Sequence, residues 1–243
     1  SLDELEAALI EHKPAILALV HAETSTGVCQ PMDGVGDLCR KHDCLLLLDT
    51  VTSLGGVPLY IDEWKVDLAY SCSQKGLSCP PGLGPFTMGP RAEEKMASRS
   101  GKVPNWYLDV SLLNQYWGSD RVYHHTAPVN MNFGMREALR LLAEEGLDQA
   151  WARHRRNAER LWSGLERQGL SMHVPEERRL PTLTTVRIPD GVDGKAFSQH
   201  LLNTHGIEVG GGLGSLAGKI WRIGLMGYNS TPENVDRLLN LFE

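Results

Sequence analysis

A lysine and an aspartate 26 residues apart are the side chains of this 243-residue sequence best placed to do chemistry together. Lys75 closes the strand-like run Asp67-Leu68-Ala69-Tyr70-Ser71-Cys72-Ser73-Gln74-Lys75 and opens the loop Gly76-Leu77-Ser78-Cys79-Pro80-Pro81-Gly82-Leu83-Gly84. Glycines in such a loop let backbone approach a ligand closely, and an amine held off water can act as a nucleophile. The plainer reading is a solvated surface lysine. Asp49 ends Cys44-Leu45-Leu46-Leu47-Leu48-Asp49, an apolar run that reads as a strand buried on both faces of a parallel sheet. Its carboxylate then lies at the C-terminal strand end, where open α/β sheets bind ligands. Alone, Asp49 reads as well as a helix cap or a turn residue.

The pair is more informative than either member. An amine and a carboxylate at two consecutive strand ends suit pyridoxal phosphate: the lysine forms a Schiff base, and the carboxylate keeps the pyridine nitrogen protonated so that the ring accepts electrons. Arg222, in Ile220-Trp221-Arg222-Ile223-Gly224, follows an apolar strand where an inward charge is costly without a partner. Its partner is either a substrate carboxylate, held by two parallel bonds, or a structural ion pair. The adjacent His124 and His125 invite a metal hypothesis, but consecutive residues point apart in extended chain and no third ligand cluster stands out. A structural role is favoured for both, and no metal is expected.

Strand and helix alternate before these residues and position them, an α/β pattern. Ser1-Leu2-Asp3-Glu4 predicts a capping box for a helix to about His12. Residues 15–20, 44–48, 67–72 and 85–88 read as strands, and 33–41 as a helix. Residues 90–120 give no clean period and are read as excursions along a subunit interface. Apolar spacing predicts helices over 131–145 and 147–168, the second carrying Arg153-His154-Arg155-Arg156, read as a solvated face rather than a phosphate patch. Residues 183–188 and 219–225 read as strands of a small C-terminal sheet, and Thr231-Pro232 starts the last helix. Gly210-Gly211-Gly212-Leu213-Gly214 lacks the helix and acidic residue of a dinucleotide fingerprint and reads as a flexible strand edge near the substrate entrance.

With 42% hydrophobic and 22% charged residues the chain can bury a sizeable core. A net charge of -6 argues against a nucleic-acid or anionic-membrane partner. No apolar stretch reaches membrane-spanning length, and no signal-peptide pattern is visible. Five cysteines without a CxxC pair favour free thiols over a disulfide framework or a zinc site.

Five motifs in order carry a resemblance along the whole chain. His21-Ala22-Glu23-Thr24-Ser25-Thr26-Gly27-Val28, Leu48-Asp49-Thr50-Val51-Thr52-Ser53-Leu54-Gly55-Gly56, Ser71-Cys72-Ser73-Gln74-Lys75, Tyr123-His124-His125-Thr126 and Lys219-Ile220-Trp221-Arg222-Ile223-Gly224 together resemble the alanine-glyoxylate (serine-pyruvate) aminotransferase family of class V pyridoxal-phosphate enzymes. The resemblance implies fold type I of these transferases: part of a large domain with a mainly parallel sheet over 1–145, and a small α+β domain over 146–243. It implies transfer of an amino group from alanine or serine to glyoxylate or pyruvate, in a homodimer whose partners are small amino acids and 2-oxo acids. A related lyase or desulfurase commonly has histidine where Gln74 stands, and a catalytically silent fragment is a third reading.

By the same resemblance Lys75 is the Schiff-base lysine, Asp49 pairs with the pyridine nitrogen, and Val51 lies against the ring unless it is plain core. Gln74 and Thr24 touch the cofactor, with Thr24 where the family commonly has serine. Tyr123 and Thr126 reach the cofactor phosphate of the neighbouring subunit, and Arg222 holds the substrate carboxylate. The chain resembles the C-terminal part of the family. The glycine-rich phosphate turn and a ring-stacking aromatic are expected in a preceding segment, so the 243-residue form alone is expected to be inactive. Peroxisome or mitochondrion is implied, although the chain ends Leu241-Phe242-Glu243 without a peroxisomal tripeptide.

Overall fold

Ser1 starts the first helix by satisfying its free amides. Its Oγ accepts the Glu4 N–H (3.3 Å) while the Glu4 carboxylate bonds back to the terminal amine (2.7 Å), and Lys13, at φ 43°, ends α1 (Leu2–His12). The computed structural model describes residues 1–242. After α1 come β1 (Ile16–Val20), a short hairpin of β2 (Ala22–Glu23) and β3 (Val28–Cys29), α2 (Val35–Lys41), β4 (Leu45–Asp49), β5 (Leu68–Tyr70), β6 (Phe86–Met88) and α3 (Pro90–Ala97).

The apolar run ending at Asp49 is an inner strand. The sheet order is β1-β4-β5-β6, with β4 parallel to both β1 and β5, and β6 antiparallel at one edge. Leu46 and Leu48 are fully buried against Leu9, Met32, Val35 and Cys39 from α1, α2 and the loop between β3 and α2. Burying each such leucine contributes roughly 2–3 kcal/mol. Asp67 is buried just before β5, where an unpaired charge would be prohibitive. It accepts the Leu46 amide (2.8 Å) and two bonds from Arg91 Nη1 (3.2 and 2.9 Å), which ties β4, β5 and α3 together.

The second half runs α4 (Val110–Trp117), α5 (Val129–Glu145), α6 (Leu147–Arg167), β7 (Leu183–Arg187), α7 (Gly194–His205), β8 (Gly210–Gly211), β9 (Ile220–Gly224) and α8 (Pro232–Leu239). Its antiparallel sheet has the order β7-β9-β8, so the glycine pair of β8 is an edge strand, as its composition suggested. Leu161 and Leu165 of α6, Leu201 of α7, Trp221 and Ile223 of β9, and Val235 and Leu238 of α8 form its core. Among the described residues no helix is long and apolar enough to cross a membrane.

Three expectations need correction. Residues 90–120 contain α3 and α4 rather than irregular excursions, and the whole of α7 was unforeseen. The basic run on α6 is not a uniform solvated face. Arg155 and Arg156 are exposed, but His154 is fully buried and Arg153 half-buried, because both turn inward to bond the backbone after β9.

Candidate active site

The parallel strands β1, β4 and β5 bring their C-terminal ends to one edge. Hydrogen bonds continue the ladder past the strands: His21 N–H donates to Asp49 O (3.0 Å), Thr50 N–H and Oγ1 both donate to Tyr70 O (2.9 and 2.8 Å), and Ser71 Oγ donates to Thr50 O (3.0 Å). The segments after Asp49 and before Lys75 therefore run side by side. Asp49 Oδ1 accepts the Val51 amide (2.8 Å) and Oδ2 accepts the Tyr70 hydroxyl (2.7 Å). Two donors, one just after β4 and one from β5, fix the direction in which this carboxylate points. Tyr70 records the same contact, its phenol pushed up to about 12 by the hydrogen bond to Asp49 first, then by burial and the Asp49 charge. The turn reading and the chemical reading of Asp49 coexist: Oδ1 closes a local turn, and each oxygen keeps a lone pair for a further donor.

Lys75 is half-buried in a loop built to stay put. Ser73, with no exposed surface, donates from Oγ to Pro80 O (2.7 Å) and from its amide to Leu83 O (3.0 Å), while the Ser78 amide closes onto Lys75 O (2.9 Å). A Cβ on Gly76 would overlap Leu54 O, so glycine is what lets this loop meet the turn after Asp49. Among the described residues no hydrogen bond or ion pair engages Lys75 Nζ. A half-buried amine without an acceptor among the described residues, one strand away from a carboxylate oriented by two donors, fits the carbonyl carbon and ring nitrogen of pyridoxal phosphate. Val51 is half-buried above Asp49 and Gln74 is exposed beside Lys75.

Arg222 leaves the middle strand of the antiparallel sheet and reaches the turn of the β2–β3 hairpin. Its Nε donates to Gly211 O (2.7 Å) and its Nη1 to Thr24 O (3.2 Å). The Thr24 turn is itself fixed, with Glu23 Oε1 accepting the Ser25 amide (2.7 Å) and Thr185 Oγ1 donating to Thr26 O (2.8 Å). Among the described residues no carboxylate pairs with Arg222, so the structural ion pair that its sequence setting allowed is not formed. Two carbonyls orient the guanidinium and leave three of its five N–H groups for another acceptor.

Tyr123 and Thr126 are not brought to Lys75 within this chain. They bond each other, Oη to Oγ1 (2.8 Å), on an exposed segment. His124 between them is buried, stacked on the Trp106 ring (3.9 Å between centroids) and donating from Nε2 to Trp106 O (3.0 Å), which agrees with the structural role expected of it. Sequence reasoning missed Tyr70 as the donor to Asp49. The signal was present: Asp49 and Tyr70 end adjacent parallel strands in register, so their side chains share a face.

The residues 1–238 match the family model described as aminotransferase class-V. The chain is 46% identical to an alanine–glyoxylate aminotransferase of Mus musculus, over 98% of this chain and 58% of that protein, and 47% identical to the one of Oryctolagus cuniculus, over 98% and 62%. In three dimensions it is similar to an alanine–glyoxylate aminotransferase from Nostoc sp., with 66% identity and a TM-score of 0.98 over 100% of this chain and 64% of that one. It is also similar to a ureidoglycine–glyoxylate aminotransferase from Bacillus subtilis, with 39% identity and a TM-score of 0.96 over 99% and 62%. The chain thus spans about three-fifths of the length of the curated relatives it matches. With Asp49 and the Lys75 loop meeting at one edge of a mainly parallel sheet in that same α/β fold, the chain belongs to the class-V aminotransferases.

Proposed function

We propose that this chain carries the lysine, the ring-nitrogen carboxylate and the substrate-binding arginine of a pyridoxal-phosphate aminotransferase that moves an amino group from alanine or serine to glyoxylate or pyruvate. The observation that carries the reading is the doubly bonded Asp49 carboxylate one strand away from the loop of Lys75, whose amine has no partner among the described residues. Glyoxylate recurs in the names of the mouse, rabbit, Nostoc and Bacillus relatives while the donor differs, so the acceptor is the better supported half of the reaction. Gln74 before Lys75 disfavours a lyase or desulfurase.

When bound, the cofactor supplies an electron sink for the carbanion left when the substrate Cα loses its proton. Asp49, oriented by the Val51 amide and the Tyr70 hydroxyl, would be the acceptor for the protonated ring nitrogen. Lys75 would be the amine that holds the cofactor, and its Nζ would be the base that takes the substrate Cα proton. Arg222 turns its remaining N–H groups to the substrate carboxylate and fixes the direction of the Cα–H bond. Val51 packs on the ring, while Thr24 and Gln74 offer polar contacts.

Tyr123 and Thr126 serve the phosphate of a second subunit. That role is supported by their exposure within a surface where Trp106, Tyr107, Trp117, Tyr123 and Phe133 are each more than half exposed, an apolar patch of the kind that marks subunit contacts. The division at 145/146 is supported by Gly146, at φ 84°, which separates α5 from α6. Reducing the cofactor-loaded protein with borohydride and mapping the label tests the assignment. Label on Lys75, and loss of the cofactor's visible absorbance in Lys75→Ala, are expected; label on another lysine refutes it.

A further inference from the structure

The backbone after β9 is held from both sides more firmly than a surface turn requires. Gly227 begins a 3-10 turn (Gly227–Asn229) at φ 55°. From α6, the fully buried His154 accepts the Gly227 amide at Nε2 (2.8 Å), so its Nδ1 carries the proton and donates to Ala150 O (2.6 Å). Arg153 Nη1 donates to Gly227 O (2.8 Å) and Ser230 O (2.9 Å), its charge balanced by Glu145 (2.5 and 2.9 Å), and Asn157 Nδ2 donates to Ser230 O (2.8 Å). On the opposite side, Ser78 Oγ accepts the Tyr228 amide (2.8 Å) while Ser78 N–H bonds Lys75 O (2.9 Å). Ser78 sits at φ 56°, a conformation that a serine keeps only where its surroundings impose it. A Cβ on Gly227 would overlap Ser78 Oγ, so the contact needs a glycine.

We propose that this relay, from His154 Nε2 through Gly227 and Tyr228 to Ser78 and on to Lys75 O, sets the position of the Lys75 amine relative to Asp49, and that His154 and Ser78 are positioning residues for the cofactor. The inference rests on Lys75 being the cofactor lysine. Ser73 and the Leu54 turn fix the loop where it leaves β5, and among the described residues Ser78 supplies the hydrogen bond that ties the residues after Lys75 to the turn after β9. The same turn follows the strand that carries Arg222, so one piece of backbone registers the lysine against the arginine. His154 acts as an acceptor here; a donor in its place would face the Gly227 N–H.

Two serine variants separate the hydroxyl from the backbone. Ser78→Ala removes the acceptor, and Ser78→Gly removes it while relieving the positive φ. In cofactor-free protein both are expected to raise amide exchange of residues 75–79 about tenfold, with exchange in β1 and β4 unchanged, and both are expected to weaken pyridoxal phosphate affinity about tenfold. His154→Leu is expected to do the same, and His154→Gln, which keeps an acceptor, to recover part of the loss. Wild-type exchange or affinity in Ser78→Gly would overturn the relay, as would exchange raised equally throughout the chain in the Ser78 variants. If His154→Leu does not fold, the Ser78 pair decides. Borohydride label on a lysine other than Lys75 sinks the assignment of that lysine whatever the exchange rates; label on Lys75 with unchanged affinity in both Ser78 variants sinks the relay alone.

Discussion

Acidification should weaken the fold through one imidazole next to the site. His21 is 4% exposed and its ring meets Trp64 edge to face at 5.1 Å; among the described residues Nδ1 has no partner, and Nε2 has only Cys29 Sγ at 3.7 Å. Nothing there stabilises an imidazolium, and burial pushes its pKa down to about 4. In the unfolded chain the same ring titrates near pH 6.5. Between the two values the unfolded state holds more protons, so the contribution to stability is complete above about pH 6.5 and is lost progressively as pH falls toward about 4. The gap of roughly 2.5 units corresponds to about 3 kcal/mol, a large share of a typical folding free energy. Urea unfolding at steps from about pH 7.5 to about pH 4.5, on the protein and on His21→Leu, measures it. Carboxylates common to both chains cancel in the difference between the two curves, and the wild type should lose about 3 kcal/mol more across that range. Parallel curves would show that the folded protein solvates a charged His21, and the reasoning would fail. Because the His21 amide bonds Asp49 O, the loosening should reach the candidate site as well.

Two further outcomes test the site. Arg222→Lys keeps a charge but loses the planar fork and its bonds to Gly211 O and Thr24 O, so apparent affinity for the amino acid should fall about tenfold or more with cofactor affinity nearly intact; equal loss of both would make Arg222 a structural residue. Tyr70→Phe removes one donor from Asp49 at a site 40% exposed, so solvent screening limits the cost to about 1 kcal/mol, read as a severalfold weaker hold on the cofactor. The Tyr70 phenol should stay neutral and bonded below about pH 10 and give up its contribution as pH rises toward about 12. In a spectrophotometric titration the variant should therefore lack the last phenolate to form. Loss of one that forms near pH 10 would mean the bond to Asp49 is not made in solution.

What could be read from the sequence was whatever left a periodic or a capping trace. The leucines at 45–48 announced an inner strand because both faces of the sheet are covered. Ser1 and Thr231 announced helix starts because a side-chain oxygen must take the free amides. α7 carried the same punctuation, with Asp193 accepting the Lys195 and Ala196 amides and Gly206 at φ 64° ending the helix, yet only Leu201 in it is fully buried, too thin an apolar stripe to show a period. α3 is similar, with Pro90 at its first position and only Ala92 buried. Lys75, Asp49 and Arg222 drew notice in the sequence because a charged side chain stood beside an apolar run or a glycine-rich loop; Asp49 ends β4, Arg222 sits within β9 and Lys75 lies in the loop after β5. His154 was not, since a histidine amid arginines has the composition of a solvated face, and its partner Gly227 lies 73 residues away.

The two sheets meet at this site by directional bonds more than by apolar contact. Among the described residues their hydrophobic cores are separate clusters, and a third, smaller one draws Ala22 and Val57 from the first half and Leu180 and Leu183 from the second. Nearer the reactive side chains the contacts are polar and end on loop backbone: Arg222 on Thr24 O, Thr185 on Thr26 O, Thr182 on Thr52 O (3.2 Å), and Ser78 on the Tyr228 amide. An apolar seam tolerates sliding, because burial is non-directional and proportional to area. A hydrogen bond weakens steeply once its angle is lost, so four of them on three different loops define one relative placement, each at a net gain of about 1 kcal/mol. The proton transfer proposed for Lys75, to and from a substrate oriented by Arg222, would need that placement to within a fraction of an ångström. The threonines at 182 and 185 touch no reacting atom, yet by this argument they register the two sheets as directly as Arg222 does.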